Sequence, residues 1–149
     1  MEQLLLLGGT GFVGRSVCEA LARADASLRI VVPSRRPEQA KRLTALPALR
    51  LVRADVHDEA QLAGLLDGCD AVVNLVAILH GSATAFERTH VELPRKLASA
   101  CHARGVTRLV HVSAPVPMRT GRAVICARKA AVKPCCTKRR SRSACCGRR

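Results

Sequence analysis

The run Leu4-Leu5-Leu6-Leu7 passes without interruption into Gly8-Gly9-Thr10-Gly11-Phe12-Val13-Gly14, and this junction constrains the chain more than any other feature. A short apolar run closed by glycine reads as a strand covered on both faces. The G-x-x-G-x-x-G spacing then gives each glycine its own task. Gly8 lets the chain leave the strand through a tight turn, Gly11 lets backbone N–H groups approach a phosphate, and Gly14 lets the next helix pack close to the sheet. An anion at that place meets unpaired N–H groups and the positive end of a helix. The following helix is expected to be amphipathic, with Val13, Val17, Ala20, Leu21 and Ala24 on one face. Strand, glycines and helix together form the fingerprint of a site for NAD or NADP, with Gly8, Thr10, Gly11, Phe12, Val13 and Gly14 as its first candidate residues. A glycine-rich turn without a ligand is the alternative.

The rest of the first 114 residues repeats this alternation. Strands are expected at Gln3–Leu7, Arg29–Pro33, Leu49–Arg53, Ala71–Leu75 and Arg108–Ser113. Helices are expected over Phe12–Ala24, over Glu38–Leu46 behind Pro37, over Glu59–Leu66, and over Ala85–Arg104 with a bend or restart at Pro94. This succession predicts an α/β fold of Rossmann type, a doubly wound parallel sheet of about five strands in the order 3-2-1-4-5.

The end of the second strand meets the adenosine ribose in such folds. A carboxylate there takes a 2′-hydroxyl, whereas this chain offers Ser34-Arg35-Arg36 with no acid before Glu38. A guanidinium pairs with a 2′-phosphate, so NADP is favoured, with NAD still possible. Two solvated arginines on a loop are the alternative. Asp55 and Val56 close the third strand, where a carboxylate can accept the adenine amino group; Asp55 as a helix cap is the alternative, with Asp58 the better cap. Leu75, Val76 and Ala77 close the fourth strand at the crevice where strand order reverses.

Charge divides the chain near Pro115. The net charge of +14 arises from 25 basic and 11 acidic residues; every acid precedes residue 115, while 11 basic residues follow it. Of the 8 cysteines, Cys126, Cys135, Cys136, Cys145 and Cys146 crowd into the end. Two adjacent cysteine pairs with no later histidine match no zinc pattern, so no metal is expected. The basic stretch suits nucleic acid or an anionic membrane by charge alone. It has nothing aromatic to stack on bases, so no specific nucleic-acid reader is expected, and its composition predicts disorder. No run is long enough to span a bilayer and no charged segment precedes the leucines, which leads us to expect a reduced, cytoplasmic protein with no transmembrane segment.

Residues 1–114 resemble the extended and atypical short-chain dehydrogenase/reductases, within the NAD(P)-dependent epimerase/dehydratase superfamily. The resemblance is carried by the Gly8–Gly14 run, Ala54-Asp55-Val56-His57-Asp58, Asp70–Ala77 and Leu109–Ala114, and lies near the NAD(P)H-binding accessory subunit of respiratory complex I and the nucleotide-sugar epimerases. It implies an oxidoreductase or epimerase of which the chain holds the N-terminal half. The complex I likeness implies instead a non-catalytic NADP(H)-binding subunit or assembly factor, with a protein partner in a respiratory complex.

The family's chemistry, so implied, uses a Ser or Thr at the end of strand five and a Tyr-x-x-x-Lys about twelve residues later, where Lys lowers the Tyr pKa for proton exchange. Ser113 matches the first element. The second is missing, because the sequence contains no tyrosine. Read with each codon taking the last base of one residue and the first two of the next, Ile125 to Lys129 permit Tyr-Leu-Arg-Ser-Lys, twelve residues after Ser113. We read the tail as the product of a frameshift near Pro115, real or in the sequencing. His80 is expected to face solvent after strand four, His57, His90, His102 and His111 show no metal or triad spacing, and Cys18, Cys69 and Cys101 are expected as small buried apolar residues.

Overall fold

A computed structural model describes residues 3–46 and 48–112. Five strands, β1 (Gln3–Leu7), β2 (Arg29–Ser34), β3 (Leu49–Arg53), β4 (Ala71–Asn74) and β5 (Arg108–His111), form one parallel sheet in the order β3-β2-β1-β4-β5. Leu4 pairs with Ile30 on one side and Ala71 on the other, which makes β1 the centre. The expected order is therefore observed. Ser113 and the 115–149 tail lie outside the described residues.

Burial follows the two-residue period of the strands. Leu5, Leu7, Val31 and Val72 face Leu62 and Leu66 from α2 (Glu59–Leu65) and the turn after it, and Leu97 and Cys101 from α4 (Leu93–Ala103). Leu4, Leu6, Ile30 and Val32 face the other way, onto Cys18 of α1 (Phe12–Ala24) and onto Ala40 and Leu43. Alternate leucines of a single run thus enter two different cores, which is why β1 carries no polar residue after Gln3. Cys18, Cys69 and Cys101 are buried free thiols, as expected.

Several elements depart from the sequence expectation. The buried edge of α1 runs through Gly14 and Cys18, with Val17 and Leu21 half-buried, while Val13, Ala20 and Ala24 are exposed. The close approach at Gly14 rotates the helix toward that edge. Pro37–Ala45 is a 3-10 segment kinked at Ala40 rather than an α-helix. The long helix begins at Ala83, behind a Ser82 side chain that accepts from Ala85 N–H. It runs from α3 (Ala83–Glu87) through a π-helical turn, Arg88–Glu92, into α4 without a restart. In an unbroken α-helix the Pro94 ring would strike the carbonyl of His90, and a widened turn just before it removes that clash. Strands four and five end earlier than expected, at Asn74 and His111, and strand two extends to Ser34.

Candidate functional site

A cleft of about 680 Å3 opens at the C-terminal ends of the strands, where open parallel sheets bind ligands. Its floor is the turn from β1 to α1. Gly8 there has φ +78°, a left-handed conformation that favours glycine, and its carbonyl accepts from Gly11 N–H at 3.0 Å. Gly11 precedes α1 without a side-chain cap, and no acid occupies the first turn. Nothing in the helix's own first turn therefore competes with an incoming anion. Arg15 crosses back to donate from Nε to the Thr10 carbonyl at 3.0 Å, so its charge stands at the same turn.

One flank carries Ser34, Arg35 and Arg36. The Ser34 hydroxyl accepts from Arg36 N–H at 3.2 Å and fixes the bend at the end of β2. Glu38, the nearest acid, pairs with Arg53 at 3.2 Å. Among the described residues neither Arg35 nor Arg36 forms an ion pair, and both residues are exposed and line the cleft. The other flank carries Asp55, Val56 and His57. Asp55 accepts from His57 N–H at 3.0 Å, and its own N–H donates to the Gln61 side chain at 2.9 Å. Asp58 caps α2 by accepting from Gln61 N–H, as expected, so Asp55 is not needed for that task. Burial, aided by the charge of Arg88, holds the His57 imidazole below its ordinary pKa.

The cleft gathers Gly8, Thr10, Ser34, Arg35, Arg36, Asp55, Val56 and Val76 from four separate strand ends. It does not gather all the candidates. Phe12 and Val13 are 93% and 57% exposed, and Gly11, Gly14, Leu75 and Ala77 shape the turn and the wall without lining the cavity. Arg15, Gln39 and His57 line it and were not anticipated. The Arg15 signal lay in its place one residue after the last glycine; His57 had none, because its position depends on the Asp55 turn. His80 is exposed, as expected, whereas His90 is buried. Among the described residues no cluster of three potential metal ligands occurs, and no helix is long and apolar enough to cross a membrane.

Fold and cleft together define a Rossmann-type α/β domain with a glycine turn at the centre of its sheet. The chain belongs to the NAD dependent epimerase/dehydratase family, whose model matches residues 4–118. It is 30% identical over 120 residues to a 4-hydroxy-2-methyl-3-oxo-4-farnesyl-3,4-dihydroquinoline-1-oxide ketoreductase of Stigmatella aurantiaca, covering 79% of this chain and 35% of that protein. A dTDP-glucose 4,6-dehydratase from Streptomyces venezuelae, solved with NAD bound, aligns with TM-score 0.70 and 28% identity over 86% of this chain and 48% of its own. An NADPH-dependent quinone oxidoreductase from Escherichia coli, complexed with NADPH, aligns with TM-score 0.61 and 27% identity over 74% of this chain and 36% of its own. The chain spans about a third of the length of the curated relatives it matches.

Proposed function

We propose that this chain binds a nicotinamide dinucleotide, NADP(H) in preference to NAD(H), as the cofactor half of a short-chain dehydrogenase/reductase. The observation that carries the reading is the pair Arg35 and Arg36, neither in an ion pair among the described residues, on the cleft that also holds the glycine turn. The pyrophosphate lies on the uncapped N-terminus of α1, beside Arg15. The adenosine 2′-phosphate meets Arg35 and Arg36, and the adenine lies toward Asp55 and Val56. The close packing of the glycine turn fits this role, since a Cβ on Gly8 would lie 3.0 Å from the Leu75 carbonyl carbon. When bound, the nicotinamide supplies hydride transfer.

The family's proton-transfer set is incomplete here, for Ser113 has no Tyr-x-x-x-Lys after it. The family match ends at residue 118, three positions beyond Pro115, which supports a frame change there. In that reading the undamaged gene encodes an oxidoreductase or epimerase. The missing tyrosine equally favours a second reading, a non-catalytic NADP(H)-binding subunit or assembly factor of a respiratory complex. In both, residues 1–114 form the dinucleotide domain.

Fluorescence titration of the full chain with NADPH and NADH tests the cofactor assignment. Replacing both arginines, Arg35→Gln with Arg36→Gln, should weaken NADPH at least tenfold and leave NADH unchanged. Equal binding of the two cofactors by the wild-type chain would refute the NADP preference. Resequencing the coding DNA beyond the His111 codon decides the frame. An open shifted frame with Tyr-x-x-x-Lys restores the enzyme reading, and its absence leaves the binding role alone.

A further inference from the structure

The segment Leu75-Val76-Ala77-Ile78, which leaves β4 along the wall of the cleft, is held at both ends by buried polar side chains. At its start the fully buried Asn74 accepts from Val76 N–H through Oδ1 at 3.0 Å. At its far end Nε2 of His90 lies 3.0 Å from the Ile78 carbonyl oxygen and 3.3 Å from Ile78 N. One ring nitrogen serves only one of these at a time, donating to the carbonyl in one tautomer and accepting from the N–H in the other, and in both it holds Ile78. His90 is only 8% exposed and stacks on Phe86 with ring centroids 5.5 Å apart, which holds the plane of its ring. The π-helical turn that accommodates Pro94 also carries His90 toward the sheet end.

This anchor bears on the cleft through backbone packing. Val76 lines the cavity, and the Gly8 turn sits so close to the segment that an added Cβ would meet Val76 N at 3.1 Å. If adenosine lies by β2 and β3 and pyrophosphate on the β1 turn, the remaining half of the dinucleotide extends past β4, along this wall.

We propose that His90 is a positioning residue for the nicotinamide half: by holding Ile78 through Nε2 it fixes the wall against which that half is laid. The inference rests on the dinucleotide reading above. His90→Phe keeps a ring on Phe86 and removes Nε2, whereas His90→Gln carries an amide to nearly the same place with both a donor and an acceptor. The variant chains are titrated with NADPH and with 2′,5′-ADP, which has the adenine end and no nicotinamide. The expected result is a roughly tenfold weaker Kd for NADPH in the phenylalanine variant, recovery in the glutamine variant, and unchanged 2′,5′-ADP binding in both.

Unchanged NADPH binding in His90→Phe overturns the assignment. So does an equal loss for both ligands, which marks a general structural defect. A wild-type chain that binds neither ligand overturns the dinucleotide reading instead, so the two failures are distinguishable. Amide exchange at Val76, whose N–H is bonded to Asn74 in the same segment, should quicken in His90→Phe and not in His90→Gln when measured without ligand, and equal rates would refute the anchor. His90→Leu serves in place of phenylalanine if that variant does not fold.

Discussion

Gly14→Ala and Gly64→Ala make the same chemical change in two helices, and the structure assigns them opposite signs. In a helix interior the change is worth up to about 1 kcal/mol in favour of alanine. At Gly64, near the end of α2, nothing lies within 4 Å of the added Cβ, so part of that gain is realised. At Gly14 the Cβ would overlap the Gly8 carbonyl oxygen and lie 2.6 Å from the Gly9 Cα. Those are backbone atoms of a turn that cannot rotate away. Overpacking costs about 1–3 kcal/mol, and a rigid backbone neighbour places this case at the upper end. After the helix preference is subtracted, a net loss of about 2 kcal/mol remains for Gly14→Ala. For a domain of this size that lowers Tm by roughly 8 °C, against a rise of a few degrees for Gly64→Ala. Thermal unfolding followed by far-ultraviolet circular dichroism measures both. A Gly14→Ala chain that melts at or above wild type would refute the argument that close helix packing requires this glycine.

Burial pushes the Cys18 and Cys101 thiols up to about 11, from an ordinary value of 9.0. The unfolded chain loses these protons first, so the urea midpoint should hold steady up to pH 9 and fall between 9 and about 11, and Cys→Ala at both sites should shallow that slope. The Gln61 N–H that donates to Asp58 holds its carboxyl below the usual range. Asp58→Ala should therefore lower Tm at neutral pH, with the difference shrinking below about pH 4 as the wild-type carboxylate takes up its proton. Among the described residues β5 pairs only with β4, and Val110 and Val112 are 55% and 49% exposed. Such an edge invites intermolecular pairing, so the chain should express poorly, and Val110→Lys should raise the soluble yield. A soluble, monomeric wild-type chain would contradict this.

The strands were legible because a parallel sheet covered on both faces demands continuous apolar runs, and Leu4–Leu7 and Ala71–Val73 supply them. The α1 boundaries were legible for a similar reason, since the glycine turn marks where a helix must begin. The exposed side of α1 is not legible, because periodicity locates an apolar face and not the contact that orients it; Gly14, without a side chain, carries no hydrophobic signal. Pro94 points to a bend or restart, and the structure has neither a restart nor a break but a π-helical turn just before it. Proline announces a disturbed hydrogen bond, while tertiary packing selects which widened geometry absorbs it. His90 has no legible signal in the sequence, because its partner is the backbone of Ile78, twelve residues away.

By itself, then, the sequence determined the strand–turn–helix grammar, the glycine turn and the absence of a tyrosine, all of which are properties of neighbouring residues or of composition. Only the tertiary structure decided that Arg15, Arg35, Asp55 and His57 share one cleft, and that Asn74 and His90 hold the two ends of one segment. The reason is physical. Local pattern fixes which backbone conformation a stretch prefers, whereas the convergence of four strand ends depends on parallel pairing and register across the sheet, which bring together residues far apart in the chain.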